Sequence, residues 1–145
     1  MIHHDAYGKR LMGVVAGDAF VPNRKINYGG ILSDCNIKPK IDGVVGETVA
    51  VEIQAGWSKP ARAAILDLIC SDEYPSKLLL VIGPPNSGGY AAKIACHCEI
   101  ILRRFLRAET FRVVLLNGNG EITRDEDDIV LIRGALRELG WAAAA

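Results

Sequence analysis

Residues 40–54, KIDGVVGETVAVEIQ, place two carboxylates and an amide in a stretch that otherwise reads as an apolar β-hairpin. Strand side chains alternate between faces, so Glu52 and Gln54 share one face. A three-residue loop over 46–48 would set Asp42 opposite Glu52 and Lys40 opposite Gln54. We therefore predict that one face gathers these four polar residues. The core face is predicted to consist of Ile41, Val45, Val49 and Ile53.

Two like charges directly opposed on a sheet repel, so stability alone gives no reason for Asp42 to face Glu52. A divalent cation resolves the repulsion, because Mg²⁺ commonly binds one or two carboxylates together with water and phosphate oxygens. Such an ion polarises a phosphodiester and lowers the pKa of an attacking water. Two other interpretations stay open. The hairpin face could be merely solvated, or a two-residue Gly46–Glu47 turn could put the acids on opposite faces.

The rest of the chain predicts a single domain, residues 1–145, with helices and strands around this hairpin. Helices are predicted over residues 5–16 (capped by Asp5), 59–71, 88–107 and about 127–139. Buried strands are predicted over residues 77–83 and 111–116, and residues 20–30 are expected to be irregular or a short strand. Strand runs come first and β-α-β-α alternation follows. This order predicts an α/β (α+β) fold with a mixed central sheet flanked by helices.

The run Pro39-Lys40-Ile41-Asp42, followed by Val51-Glu52-Ile53-Gln54 and then a helix, resembles the PD-(D/E)XK nuclease superfamily. The resemblance covers residues 5–83 and implies a restriction endonuclease-like α-β-β-β-α-β core. It implies that Mg²⁺ or Mn²⁺ is bound by Asp42, Glu52 and the backbone carbonyl of Ile53. It also implies that Asp42, Glu52 and the residue at position 54 form the catalytic set.

Gln54 departs from the family pattern, which usually has lysine at this position. Lysine helps orient the attacking water and offsets developing negative charge, whereas glutamine forms hydrogen bonds but is neutral. We predict that Lys40 supplies the missing charge, with Lys59 as the second candidate; weak or lost catalysis is the alternative. Lys59 and Arg62 follow the strand that carries Glu52. They are either contacts for a nucleic-acid backbone or simply solvated.

The resemblance predicts a Mg²⁺-dependent endonuclease that hydrolyses DNA phosphodiester bonds, of a structure-selective, restriction or repair type, acting as a homodimer. One alternative is a non-catalytic domain of the same fold that binds nucleic acid or a protein partner. A second is a small α/β interaction domain unrelated to nucleases. The formal net charge is zero, which is not typical of a strongly basic nucleic-acid binder. Residues 121–145 hold six acidic and three basic side chains, so the preceding body is mildly basic.

Composition narrows the class of protein further. Half of the residues are hydrophobic, which favours a buried core over disorder. No apolar run reaches the roughly 20 residues of a membrane helix, so we expect a cytoplasmic protein without a membrane partner. The four cysteines are scattered among apolar residues, which predicts reduced, mostly buried thiols.

Overall fold

In the residues that the structure describes, four helices and five strands follow one another in the order α-β-β-β-α-β-α-β-α. The computed structural model describes residues 3–27, 38–55, 58–83, 89–119 and 121–142. The helices are α1 (His3–Ala16), α2 (Ser58–Cys70), α3 (Tyr90–Phe105) and α4 (Asp125–Glu138). The strands are β1 (Phe20–Lys25), β2 (Lys40–Val45), β3 (Val49–Ala55), β4 (Ser76–Ile82) and β5 (Phe111–Leu116). Short 3-10 turns at Gly17–Ala19 and Ala108–Thr110 lead into β1 and β5.

The five strands form one mixed sheet in the order β1-β2-β3-β4-β5. The first three strands are antiparallel, whereas β3, β4 and β5 are parallel and are connected through α2 and α3. Parallel strands need such crossovers, which cover the sheet with helices. The predicted mixed sheet with flanking helices is therefore confirmed.

Both faces of the sheet are covered by helices, so the molecule has three layers. On one face α2 and α3 pack on residues such as Ala50, Leu79 and Val81. On the other face α1 and α4 pack on residues such as Val51, Leu78 and Leu80. The central strands are consequently buried on both sides, as parallel strands between two helical layers usually are. This burial explains why β4 is almost continuously apolar.

The turn between β2 and β3 confirms the predicted three-residue loop. Val45 pairs with Val49, and the amide of Thr48 donates to the carbonyl of Val45 at 3.1 Å. Gly46 and Glu47 have φ angles of 58° and 60°, a left-handed pair that matches the twist of a hairpin. Gly46 has a second reason to lack a side chain, because a Cβ there would lie 2.7 Å from Nε1 of Trp141.

One local prediction needs correction. Helix α1 begins at His3, so Asp5 lies in its first turn and does not cap it. Residues 20–25 form a short strand, which is one of the two forms predicted for this stretch. Pro22 fits in it because β1 is at the edge of the sheet, where a missing N–H is tolerated.

The membrane and cysteine predictions can be compared with the described part of the chain. No helix there is long and apolar enough to cross a bilayer. Cys70, Cys96 and Cys98 are free thiols. Cys98 is buried, and burial raises its pKa to about 11, whereas Cys70 is half-buried and Cys96 is exposed. Cys35 lies outside the described residues.

Candidate active site: a carboxyl pair between diverging strands

Asp42 and Glu52 are linked through each other's backbone. The amide of Asp42 donates to Oε1 of Glu52 at 2.8 Å. The amide of Ile53, next to Glu52, donates to Oδ2 of Asp42 at 2.7 Å. The structure therefore brings together the two acids that the sequence predicts to meet.

The pair lies where β2 and β3 separate. Their pairing runs from Val45–Val49 to Gly43–Val51, whereas β2 stays paired with β1 as far as Lys40 opposite Lys25. Beyond Gly43 the two carboxylates take the amide protons that a regular ladder would give to carbonyl oxygens. The acids thus occupy the gap between the strands.

The predicted face of Ile41 is wrong. Val45, Val49 and Ile53 pack under α1 and α4, but Ile41 packs with Val44 under α2 and α3. If the side chains of β2 alternated strictly, Ile41 and Val44, which are three positions apart, would lie on opposite faces of the sheet. The irregularity coincides with Asn23 of β1, which lies opposite Asp42 in the register and has a φ of 56°.

Burial dominates the electrostatics of Glu52, which is 5% exposed. Desolvation, followed by the charge of Asp42, raises the pKa of Glu52 to about 9. Burial also raises the pKa of Asp42, against the hydrogen bond from Ile53 and the positive charge of Lys9. At neutral pH, Glu52 therefore holds a proton.

Charges from both helical layers act on the pair. Asp5 and Lys9 of α1 influence the pKa of Asp42, and Asp67 of α2 influences that of Glu52. Sequence reasoning missed Asp5, Lys9 and Asn23 because their proximity depends on how α1 packs against the sheet. The i,i+4 spacing of Asp5 and Lys9 is visible in the sequence, but it predicts only a helical ion pair.

The oxygen atoms of Asp42 and Glu52 can be compared with the ligands that a divalent ion requires. Within the described ranges, no group of three or more His, Cys, Asp and Glu side chains could hold a metal. Asp42 and Glu52 supply two carboxylates, and each uses one oxygen for a backbone amide. Mg²⁺ retains several waters and needs only one or two carboxylates, so this pair, with the carbonyl of Ile53 as a further donor, fits Mg²⁺. A tightly caged ion such as structural Zn²⁺ would need more ligands.

The other residues that were predicted to belong to the site lie in positions that fit a role beside the acids less well. Gln54 is half-buried and pairs with Val81 of β4. Lys40 is exposed, and its partner in the ladder is Lys25, not Gln54. Arg62 is exposed and borders an apolar groove between α2 and α3, together with Phe105. The side chain of Lys59 lies outside the described residues.

The chain has no match among the protein-family models, the curated proteins or the solved structures with which it was compared. The likeness to the PD-(D/E)XK superfamily therefore depends on the short motif and on the order of elements. What it implies about activity and substrate stays a prediction.

Proposed function

We propose that this chain is a Mg²⁺-dependent endonuclease that hydrolyses phosphodiester bonds in DNA. The observation that supports the proposal best is the buried Asp42–Glu52 pair in the gap between β2 and β3. Titratable groups whose pKa is strongly shifted by burial and by a like-charged neighbour concentrate at functional sites. Here the pKa of Glu52 is raised to about 9 by both causes.

A purely structural role explains the pair poorly. Burying a carboxyl is unfavourable, and apolar residues of similar size commonly replace buried polar groups at no loss of stability. Glu52 lies in the central part of the sheet, where its strand neighbours Ala50, Val51 and Ile53 are apolar. An apolar pair at positions 42 and 52 would allow the strands to stay together. The cost of the two acids is accounted for if they bind a cation during a reaction.

The residues of the pair would act as follows. Asp42 and, once it has lost its proton, Glu52 would hold the ion through two carboxylate oxygens. The ion, when bound, supplies Lewis-acid polarisation of the phosphate and a lower pKa for the attacking water. The Gln54 amide can accept a hydrogen bond from that water and donate one to a phosphate oxygen, but it contributes no charge. The hydrogen bond from Ile53 holds Asp42 in place.

The net charge bears on how a substrate would be chosen. A chain with a net charge of zero has little capacity for strong non-specific binding to DNA. We therefore propose a substrate chosen by its structure, or recognition assisted by a partner. Two copies of the chain would cut the two strands of a duplex. Light scattering in the presence and absence of DNA measures that stoichiometry.

The test is cleavage of plasmid, nicked and branched DNA with Mg²⁺ and with Mn²⁺. Asp42→Asn and Glu52→Gln keep the size of each side chain and should each lower the rate at least about a hundredfold, a typical loss when an electrostatic catalytic group is removed. Glu47→Gln is the matched control, because Glu47 is an exposed carboxylate on the same hairpin. Wild-type protein that leaves all three substrates uncut with both ions would refute the proposal.

A second candidate is a non-catalytic domain of the same architecture that binds nucleic acid or a protein. The neutral Gln54 favours it, as does the proton that Glu52 holds at neutral pH. Such a protein would bind DNA in gel-shift measurements without cutting it, and its affinity would be the same in EDTA and in Mg²⁺. The nuclease should show both cutting and a dependence on the ion.

A further inference from the structure

We propose that Lys9 of α1 supplies the positive charge that Gln54 lacks and that its ammonium contacts the phosphate held at the Asp42–Glu52 pair. This inference rests on the nuclease function proposed above. Its basis is the packing of α1 against the gap between β2 and β3, which places a lysine from a distant part of the sequence beside the acids.

The position of Lys9 is defined by hydrogen bonds. Its Nζ donates to Oδ1 of Asn23 at 3.1 Å and lies 3.5 Å from Oδ2 of Asp5. Asn23 lies directly opposite Asp42 in the β1–β2 register, between the pairs Pro22–Gly43 and Arg24–Ile41. Asn23 also has a φ of 56°, a conformation that asparagine tolerates better than most residues. The regular pairing of the edge strand is therefore broken at Asn23, and the side-chain oxygen of the same residue accepts the hydrogen bond from Lys9.

Helix α1 approaches the acids closely at the preceding residue. A Cβ on Gly8 would lie 2.6 Å from Cγ2 of Ile53, so only glycine permits this contact. The amide of Ile53 is the donor to Asp42. The backbone that carries Lys9 is therefore packed against the residue that positions the acid pair.

The neighbouring residues of α1 fix the helix on both sides of Lys9. Tyr7 donates to Oδ2 of Asp128 at 2.7 Å. Arg10 forms a bidentate ion pair with Asp125, at 2.5 and 3.0 Å. Both partners belong to α4. These contacts keep α1 in place when the Lys9 side chain exchanges its contact with Asp5 for a phosphate.

The charge of Lys9 already acts on the site, since it lowers the pKa of Asp42 while Asp5 raises it. An ammonium has three donors; Asn23 accepts a hydrogen bond from one of them, and Asp5 forms an ion pair with the same nitrogen at 3.5 Å. The Lys9 side chain is 27% exposed, so it can reach a ligand without being fully solvated. Lys40, by contrast, is exposed and faces the like-charged Lys25 across the strands. Lys9 is thus the better-placed cation of the two.

The reaction assigned to the site is hydrolysis. A water oxygen forms a bond to phosphorus, the bond from phosphorus to one ester oxygen breaks, and one proton of the water ends on the departing oxygen. The products are a hydroxyl end and a phosphate monoester end. Lys9 carries no proton in this step. It donates a hydrogen bond to a non-bridging phosphate oxygen whose negative charge grows as the water adds.

The test uses the full chain, plasmid DNA and Mg²⁺, with the single-turnover cleavage rate and the calorimetric affinity for Mg²⁺ alone as separate readouts. Lys9→Met should lower the rate about 10²- to 10³-fold, the scale for losing one preorganised charge-stabilising donor. Its affinity for Mg²⁺ should be equal or higher, because a positive charge has been removed from beside Asp42. Lys93→Met, at an exposed position of α3, is the matched control and should stay within about threefold of the wild-type rate.

A second substitution that restores a positive charge tests whether Lys9 acts through its charge. Gln54→Lys, added to Lys9→Met, should recover at least about tenfold in rate, because it restores a cation at the same phosphate. Lys9→Gln keeps a donor for Asn23 without the charge, so it should be as slow as Lys9→Met while retaining the wild-type melting temperature.

The outcomes separate the two proposals. A wild type that cleaves, combined with Lys9→Met and Lys9→Gln at wild-type rates, overturns the role of Lys9 and leaves the nuclease function standing. Parallel losses of Mg²⁺ affinity and rate in both variants would mean that Lys9 only maintains the structure, and would also overturn its role. A wild type that cuts no DNA overturns the nuclease function and this inference together.

Discussion

Asp42 and Glu52 exchange hydrogen bonds across the separation of β2 and β3, each carboxylate accepting an amide proton from the opposite strand. The strands are held together at this point by ionisable side chains instead of by backbone carbonyls. The stability of the sheet and the protonation state of the pair are consequently linked, and the linkage can be measured.

The stability of the protein should fall as pH rises, because Glu52 titrates near pH 9 in the folded chain and near 4.5 in the unfolded chain. A raised folded-state pKa contributes stability that is complete below about pH 4.5 and is lost as pH rises through about 9. We expect the free energy of unfolding of the wild type, relative to that of Glu52→Gln, to fall by at least about 2 kcal/mol between pH 5 and pH 9, since one pKa unit corresponds to about 1.4 kcal/mol. Urea titrations at each pH measure it.

The comparison with Glu52→Gln is needed because Lys77 changes the stability of the protein with pH in the opposite direction. Burial lowers the pKa of Lys77 to about 8, so its contribution to stability is lost as pH falls through 8. Lys77 is present in both proteins and cancels in the difference. Glu47→Gln, on the exposed turn, should follow the wild type at every pH. A difference between wild type and Glu52→Gln that does not change with pH would contradict the raised pKa.

Binding of Mg²⁺ near pH 7.5 should release close to one proton per ion, because Glu52 must ionise before it can act as a ligand. Calorimetry in two buffers with different ionisation enthalpies counts the protons directly. Asp42→Asn should bind Mg²⁺ at least about tenfold more weakly, since one of two carboxylate ligands is lost. Mg²⁺ should raise the melting temperature of the wild type, and EDTA should reverse the change. Binding without proton release would show that Glu52 is not a ligand.

Two glycines of α1 should respond in opposite ways to the same substitution. Gly8→Ala places a methyl group against Ile53, and we expect it to destabilise the protein by about 1–3 kcal/mol, the usual cost of overpacking. Gly13→Ala, on the same helix, meets nothing within 4 Å and should stabilise by up to about 1 kcal/mol through helix propensity. Thermal unfolding of both variants checks the prediction. Equal effects would mean that α1 does not pack closely on β3.

The carboxylate of Asp128 should be a major determinant of stability. It is completely buried and accepts from Tyr7 Oη, from the amide and side-chain nitrogens of Asn117 and from the amide of Gly118, at 2.7, 2.7, 3.3 and 2.9 Å. Asp128→Ala leaves the buried Tyr7 hydroxyl and Gly118 amide unpaired and should cost roughly 3 kcal/mol or more. Tyr7→Phe should cost about 1–2 kcal/mol, and the double variant less than the sum. Asp127→Ala, at the exposed neighbouring position, should change stability by less than about 0.5 kcal/mol.

Local patterns predicted most elements and the hairpin register. The turn could be predicted from Gly46 and from the alternation of Val49, Val51 and Ile53, because both signals depend on residues that are neighbours in the sequence. Phe111–Leu116 was predicted at its observed bounds, because a buried parallel strand is a continuous apolar run. Helix ends were displaced by one or two residues, as at α1 and α4, where capping signals compete.

The environment of the acids could not be predicted from local patterns. Period-two alternation assigns Glu52 to a polar face, but that face of β3 is covered by α2, so Glu52 is buried. The placement of Ile41 on the opposite face coincides with the unusual backbone of Asn23 in a neighbouring strand, which the hairpin sequence does not contain. The approach of Lys9 depends on the docking of α1 through Tyr7 and Asp128, which are 121 residues apart in sequence. Such contacts are decided by tertiary packing, which a short motif does not encode.

The contact between Tyr7 and Asp128 also affects the order in which parts of the chain fold during synthesis. A ribosome synthesises α1 before α4, so α1 lacks its helical neighbour until residues 125–138 have emerged. We expect nascent chains stalled before residue 125 to leave α1 accessible to protease while the hairpin is already formed, and chains released after residue 138 to protect it. The two acids would then be in place before Lys9 is held beside them. On the proposed mechanism, the ability to cut DNA would arise only after α4 has emerged from the ribosome.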